Sequence, residues 1–233
     1  MKLKEKNIMP FVQRHEEIIK KLKPYSYGRL WLNAFVFSIF IFIINSLYLF
    51  LRRGDYDLFI ANKALATSSL MLIGFSLALS GLCYFWDFVD TKIIYRKHLG
   101  LIGFFLAGAH VIVSGFFLSN KFTAAWFESK KISMLFGGLA LLVFLAMAAI
   151  SNRYLIHELG GKYWRAFMRF GGYLAFIFII LHFSLLKYPE WLKWLSTGKP
   201  FLPPLSLIGV IFGLAVIVLR LALWLAVKRT DRK

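Results

Sequence analysis

The chain alternates long apolar runs with short, strongly basic connections. Six of the runs are long enough to cross a hydrocarbon core of about 30 Å, which takes about 20 helical residues. They lie at about 31–51, 64–86, 99–118, 132–150, 170–187 and 203–227. In lipid only helices and closed barrels satisfy the backbone, and the runs lack the alternation of strands, so they predict helices. The expected fold is an all-α integral membrane bundle of six transmembrane helices.

Composition supports the same class. Hydrophobic residues make up 59% of the chain and its mean hydropathy is +0.67, whereas soluble domains are about 45–50% apolar. The formal net charge of +18 comes from 29 Lys and Arg against 11 Asp and Glu. Such a charge suits nucleic acid, but these charges sit between apolar runs, so membrane lipid explains them better and no nucleic-acid partner is expected.

Residues 1–28 differ from the rest and predict a basic cytoplasmic or interfacial arm ahead of the membrane domain at 29–233. Basic side chains cluster there: Lys2, Lys4, Lys6, Arg14, Lys20, Lys21, Lys23 and, just beyond, Arg29. Polybasic segments beside a span commonly contact anionic lipid. A secretory signal peptide is the rival interpretation, but the run from Trp31 to Leu51 is longer than a signal core and no small-residue cleavage site follows it.

The basic residues predict the orientation. The arm, the second-to-third connection, the fourth-to-fifth connection and the tail together hold 19 Lys and Arg, and the opposite side holds nine. By the positive-inside rule both termini are cytoplasmic. The outer connection after the fifth span carries Trp191 and Trp194, which are expected to lie as an aromatic belt along the outer headgroups.

No built-in nucleotide domain is expected. Neither a G-x-G-x-x-G nor a G-x-x-x-x-G-K-S/T motif occurs. Cys83 is the single cysteine, which excludes an internal disulfide and a multi-cysteine metal site.

Two histidines fall deep inside predicted helices, where ionisable residues are costly and are therefore functional candidates. His110 lies 13 residues after Lys97, and His182 lies 13 residues after Arg169. At 1.5 Å per residue each is about 20 Å from the inner face, so the two are level. Two level imidazoles on different helices are the arrangement that clamps the iron of a six-coordinate b-type haem. The alternative is that each is a hydrogen-bonded core histidine.

The helix faces around these histidines are mostly small. Positions three or four residues apart, or multiples of that, are Gly103, Ala107 and Ser114 around His110, and Gly171, Ala175 and Phe178 around His182. Small residues leave room for a flat macrocycle, and they equally serve close helix packing.

Two segments resemble the ferric-reductase-like transmembrane family, and most closely the haem-binding membrane subunits of bacterial periplasmic methionine sulfoxide reductase systems. The first is Tyr95 to Phe104, followed by Ala109-His110, which is similar to the family's R-R-x-L-G-L…H segment. The second runs from Ser151-Asn152-Arg153 through Leu159-Gly160 and Trp164-Arg165 to Leu181-His182-Phe183. With the preceding span, the resemblance covers about 64–183.

This resemblance implies a cytochrome b in the bacterial inner membrane, with His110 and His182 as axial ligands of a haem b iron. Electrons would come from a cytoplasmic flavin reductase carrying FMN, or from membrane quinol. The implied acceptor is a periplasmic methionine sulfoxide reductase subunit, with ferric iron or oxygen as the alternative. The chain would be the electron-transfer subunit of an oxidoreductase system, which leaves open whether it is itself an enzyme.

The sequence departs from the family at one position. Where the family usually has a histidine near the inner end of the fifth span, this chain has Met168. Met168 shares a helix face with His182 and offers sulfur as a ligand, while His98 lies on the inner boundary, off the His110 face. One haem per chain is therefore expected, with a second, inner haem left open.

A haem-free transporter or scaffold is the competing class. Transport normally needs broken helices or a buried acid near the bilayer midplane. The acidic residues of the membrane domain instead fall at predicted helix ends or in loops, among them Asp55, Asp57, Asp87, Asp90, Glu128, Glu158 and Glu190. The pattern therefore favours the electron carrier.

Overall fold

The computed structural model describes residues 27–150 and 161–230. The predictions for the basic arm up to residue 26 and for the part of the family resemblance from Ser151 to Gly160 fall outside these ranges. The orientation of the termini likewise remains a prediction.

Every regular element in the described ranges is helical. Six helices are long and apolar enough to cross a membrane. They are α1 (Tyr27–Arg53), α2 (Leu58–Phe85), α3 (Arg96–Ile112), α4 (Lys131–Ala149), α5 (Gly161–Thr197) and α6 (Leu205–Thr230). The third of them reaches membrane length together with the helical segments on either side of it, over Asp87–Phe117. Three short elements lie between them: a 3₁₀ segment (Asp87–Tyr95), a π-helical turn (Val113–Phe117) and a short helix (Ala124–Ser129). The prediction of six membrane-spanning helices is confirmed.

The fifth helix is much longer than predicted. α5 continues through Pro189 to Thr197, so the predicted headgroup segment is largely a continuation of the helix. Trp191 is only 9% exposed, and its indole N–H donates to Ser206 Oγ at 2.9 Å. The prediction that Trp191 belongs to an interfacial belt is therefore wrong, because this tryptophan packs α5 against α6.

Helix α2 is the centre of the bundle. In the most apolar 18-residue stretch of α2, 67% is buried inside the protein. The corresponding share in the other five helices is 11–28%. The other helices turn large apolar side chains outward, as Phe35 and Phe40 do on α1 and Leu142 does on α4. Such exposure suits contact with lipid chains, whereas α2 has protein on most sides.

Buried polar side chains run along α2 and bond to its neighbours; we call Asn62, Ser68, Ser69 and Ser76 the polar seam. Ser68 accepts a hydrogen bond from Asn45 of α1 at 2.9 Å. Ser69 and Ser76 donate to the α3 carbonyl oxygens of Gly103 and Arg96, each at 2.7 Å. Because lipid offers no competing partner, interhelical hydrogen bonds of this kind contribute roughly 0.6–2 kcal/mol each.

Glycines let the helices approach α2 closely. A Cβ at Gly81 would lie 2.7 Å from Leu219 Cγ of α6, and one at Gly103 of α3 would lie 2.7 Å from Ile73 Cγ1. The Gly103 position is the more tightly closed, because backbone atoms of Ile73 and Ser69 also lie 3.2 Å away. Small residues at such crossings are typical of membrane helix packing.

Asp57 begins α2 as its N-cap. Its carboxylate accepts the Ile60 backbone N–H at 2.8 Å and lies 3.2 Å from Lys121 Nζ. The Ile60 hydrogen bond, aided by Lys121, holds the pKa of this carboxyl below its usual range. The cap is therefore charged near neutral pH and favours the N-terminal end of the helix dipole.

The two glycines of α3 give a matched test of this packing. We expect Gly103→Ala to destabilise the bundle by about 1–3 kcal/mol, the usual cost of an added group in a closed contact. Gly108→Ala meets no atom within 4 Å and should be neutral or slightly stabilising, because alanine favours helix. Thermal or denaturant unfolding of the purified chain measures both, and equal effects of the two substitutions would contradict the close α2–α3 contact.

Candidate functional site

A cavity of about 220 Å³ lies at the end of the bundle where α2 and α6 begin. The side chains of His110 and His182 both line it. The structure thus brings together the two histidines that the sequence places at one depth. This end carries the connections that the charge count predicts to be outside.

His110 is held by the first turns of α2. Its Nδ1 lies 2.9 Å from Asn62 Oδ1 and 3.2 Å from the Asn62 backbone oxygen. The Asn62 amide in turn donates to Ser114 Oγ at 2.8 Å. Asn62 is 1% exposed, so this polar side chain is buried with both ends of its amide satisfied.

The π-helical turn follows His110 by three residues. The Leu118 N–H donates to the carbonyl of Val113, five residues back, at 3.1 Å. Ser114 lies in this turn and accepts the Asn62 amide. Single π turns occur mostly as local widenings of α-helices and are frequent at functional sites.

His182 is held by α4. Its Nδ1 lies 2.8 Å from the Ser133 backbone oxygen, and the Ser133 hydroxyl donates to the His182 carbonyl at 2.9 Å. Gly137 lies one helical turn further along α4, where a Cβ would come 2.9 Å from His182 Nδ1. The ring therefore occupies space that only glycine leaves at this position.

These contacts assign the same tautomer to both rings. The Nδ1 of His110 faces two oxygens of Asn62 that only accept, and the Nδ1 of His182 faces the Ser133 backbone oxygen. The Ser133 hydroxyl also lies 3.2 Å from His182 Nδ1, but it donates its proton to the His182 carbonyl and so accepts from the ring. Each neutral ring therefore carries its proton on Nδ1. Neither Nε2 has a hydrogen-bond partner in the part of the chain that the structure describes. A neutral imidazole with Nδ1–H bonded to a backbone or amide oxygen is the form in which histidine binds metals, through a free Nε2 lone pair.

The rim of the cavity is basic. It includes the cationic side chains of Arg52, Arg53, Lys63, Lys121 and Lys187, together with one acid, Glu190. Glu190 lies 3.4 Å from both Arg52 Nη1 and Lys187 Nζ. Arg52 also donates to the Leu202 backbone oxygen at 3.1 Å. Five of the nine basic residues predicted to lie outside thus border one cavity. Glu190 on the rim and Asp57, which pairs with Lys121, balance them only in part.

His98 and Met168 lie away from this cavity. His98 is 4% exposed, its Nδ1 is 3.2 Å from the Ile94 backbone oxygen, and its ring packs edge-on against Trp31 at 4.8 Å. Met168 is half-buried on α5. Neither residue lines the cavity with His110 and His182, and the proposed ligand roles of both remain predictions.

Three of the small residues around the histidines, Gly103, Gly171 and Ala175, pack against neighbouring helices. Gly103 packs against Ile73, a Cβ at Gly171 would lie 3.1 Å from Met147 Sδ, and Ala175 is fully buried in the apolar core. None of the three lines the cavity. Of the set, Ser114 contributes to the site, through its hydrogen bond to Asn62.

Three residues of the site escape sequence reasoning: Asn62, Ser133 and Gly137. Asn62 and His110 are 48 positions apart, and Ser133 and His182 are 49 apart. Asn62 lies just before the predicted second run at 64–86, so the sequence does not mark it as a polar group within the membrane.

The donor set fits a haem better than a protein-only metal site. No group of three or more His, Cys, Asp or Glu that would hold a metal ion occurs in residues 27–150 and 161–230. A haem brings four nitrogen ligands of its own and asks the protein for one or two axial ligands. Two imidazoles with free Nε2 atoms beside one cavity meet that requirement.

Comparison with known proteins gives no assignment. No family model matches the chain, and no curated protein matches it significantly.

The tautomer assignment predicts a nitrogen-15 NMR result. With labelled histidine near neutral pH, His110 and His182 should both carry the proton on Nδ1. Asn62→Leu should speed solvent exchange of the His110 Nδ1–H, because the shorter of its two acceptors is removed, and should leave His182 unchanged as the internal control. Nε2–H tautomers at both rings would contradict the site geometry.

Proposed function

We propose that this chain is a membrane b-type cytochrome that passes electrons across the bilayer to a periplasmic acceptor. His110 and His182 would hold the iron through Nε2. The observation that carries the proposal is the shared Nδ1–H tautomer beside one cavity, since both rings offer the same free nitrogen. Bound there, haem would supply reversible one-electron chemistry at a potential set by its two axial ligands.

The protein's contribution would be to fix these ligands and set their surroundings. Asn62 and the Ser133 carbonyl hold the rings in orientation and make Nε2 more basic, which strengthens a metal ligand. The rim cations Arg52, Lys63 and Lys187 suit the two propionate carboxylates that haem b carries.

The donor and acceptor of the proposal come from the family resemblance. Electrons would enter from a flavin reductase with FMN or from quinol on the cytoplasmic side. A periplasmic methionine sulfoxide reductase would take them at the side where the cavity lies. Within this proposal the chain holds one haem, because Met168 replaces the usual inner histidine.

The first test is a spectrum of the protein expressed with ample haem. We expect a Soret band, a dithionite-reduced α-band and one haem per chain by pyridine haemochrome. His110→Ala and His182→Ala should each abolish the low-spin spectrum, because the iron loses an axial imidazole. His98→Ala should retain it. Wild-type protein without a Soret band would remove the cytochrome proposal, and two haems per chain would contradict the role given to Met168.

Neighbouring glycines of α4 give a finer test. Gly137→Ala should shift the low-spin spectrum or lower the haem content, because the new methyl group displaces the His182 ring. Gly138→Ala adds the same group where no atom lies within 4 Å, so its spectrum should match wild type. Identical spectra for all three proteins would show that His182 does not bind the iron through this ring position.

The acceptor is tested by reoxidation kinetics. Chemically reduced protein should be reoxidised faster by a purified periplasmic methionine sulfoxide reductase with its substrate than by ferric citrate or air-saturated buffer. Faster reoxidation by ferric citrate or by oxygen would assign the chain to the alternative acceptor and leave the cytochrome proposal standing.

A further inference from the structure

Three arginines from three helices meet at the opposite end of the bundle from the cavity. Arg96 lies in the first turn of α3, Arg169 lies on α5, and Arg220 lies on α6, ten residues before its end. Arg220 is close enough to interact electrostatically with both Arg96 and Arg169, and these two also interact with each other.

Hydrogen bonds to α2 and α5 hold this arginine cluster in place. Arg220 donates to the Leu77 backbone oxygen at 3.4 Å and to the hydroxyl of Tyr173, whose ring centroid lies 5.0 Å from the guanidinium carbon. Ser76, next to Leu77, donates to the Arg96 backbone oxygen. Arg169 lies one helical turn before Tyr173 on α5. The Arg220 guanidinium is thus positioned by the fold, beside the helix segments that carry Arg96 and Arg169.

Within residues 27–150 and 161–230, the three charges have no ion-pair partner. The described salt bridges use Glu190, Asp57 and Glu128, and none includes Arg96, Arg169 or Arg220. The Nε atom of Arg220 is buried without a hydrogen-bond partner in the described residues. Like charges gathered near lipid are unfavourable unless an anion joins them. The described residues therefore leave the cluster open to a negatively charged ligand.

The surroundings indicate that this ligand carries acyl chains. An apolar surface groove on α5 is lined by Ile150, Tyr163, Ala166, Phe167 and Phe170, and the last of these follows Arg169. Phe170 is 69% exposed, and Leu221, which follows Arg220, is 55% exposed. Arg220 lies about 15 Å from the end of α6.

We propose that Arg96, Arg169 and Arg220 bind the phosphate of an anionic phospholipid whose chains lie along the apolar groove of α5. Arginine matches phosphate oxygens with two parallel N–H donors, and basic pockets between membrane helices bind such headgroups. The site is separate from the histidine cavity and does not depend on the cytochrome proposal.

The test uses full-length protein in phosphatidylcholine nanodiscs with and without phosphatidylglycerol. Native mass spectrometry should find phosphatidylglycerol retained by the wild type, and its presence should raise the thermal midpoint. Arg169→Gln, an exposed position that should fold normally, should retain the lipid about fivefold less. Arg220→Gln should also retain less phosphatidylglycerol than the wild type. Arg165→Gln on α5 and Arg229→Gln on α6 are controls, because both are exposed basic residues near this end and outside the cluster.

Further measurements distinguish a phospholipid headgroup from free phosphate as the bound anion. Inorganic phosphate in discs of phosphatidylcholine alone should not stabilise the protein; stabilisation equal to that by phosphatidylglycerol would overturn the lipid assignment in favour of a soluble anion. Equal retention of phosphatidylglycerol by wild type and Arg169→Gln would overturn the site. Loss of haem from the arginine variants with unchanged lipid retention would also overturn it, because the cluster would then serve haem carboxylates.

Discussion

The burial of polar side chains in a helix surrounded by other helices is the constraint on which this bundle depends. Hydrophobic attraction between helices is weak in lipid, so packing and hydrogen bonds decide how they meet. The polar seam of α2 supplies those bonds, from Ser68 to α1 and from Ser69 and Ser76 to α3. Because each hydrogen-bond partner occupies one position along its helix, the polar seam fixes the register of α1 and α3 against α2.

The histidine site is an extension of that seam. Asn62 is its first member, and its amide joins α2 to the His110 ring and to the π-helical turn. On the other side, Ser133 and Gly137 join α4 to α5 around the His182 ring. Two helix pairs thus each present one imidazole, and the closeness of the rings follows from how the pairs pack.

The bilayer makes much of the fold predictable and little of the site. Span lengths follow from membrane thickness, and the two histidines stand out because ionisable groups are rare there. The extension of α5 through Pro189 could not be predicted, since proline usually ends a helix in water but is tolerated in membranes. The partners of His110 and His182 lie nearly fifty residues away, and neither periodicity nor local spacing shows which helix faces meet.

The central position of α2 has a consequence for biogenesis. The most apolar 18-residue stretch of α2 has a mean hydropathy of 1.7, the lowest of the six helices. Most of the helices that surround α2 follow it in the chain. α6, which closes over Gly81 through Leu219, is synthesised last. Until α6 has been made, one side of α2 must face lipid, translocon or chaperone. A truncation before α6 would therefore leave the core helix exposed to quality control, however well the first five helices insert.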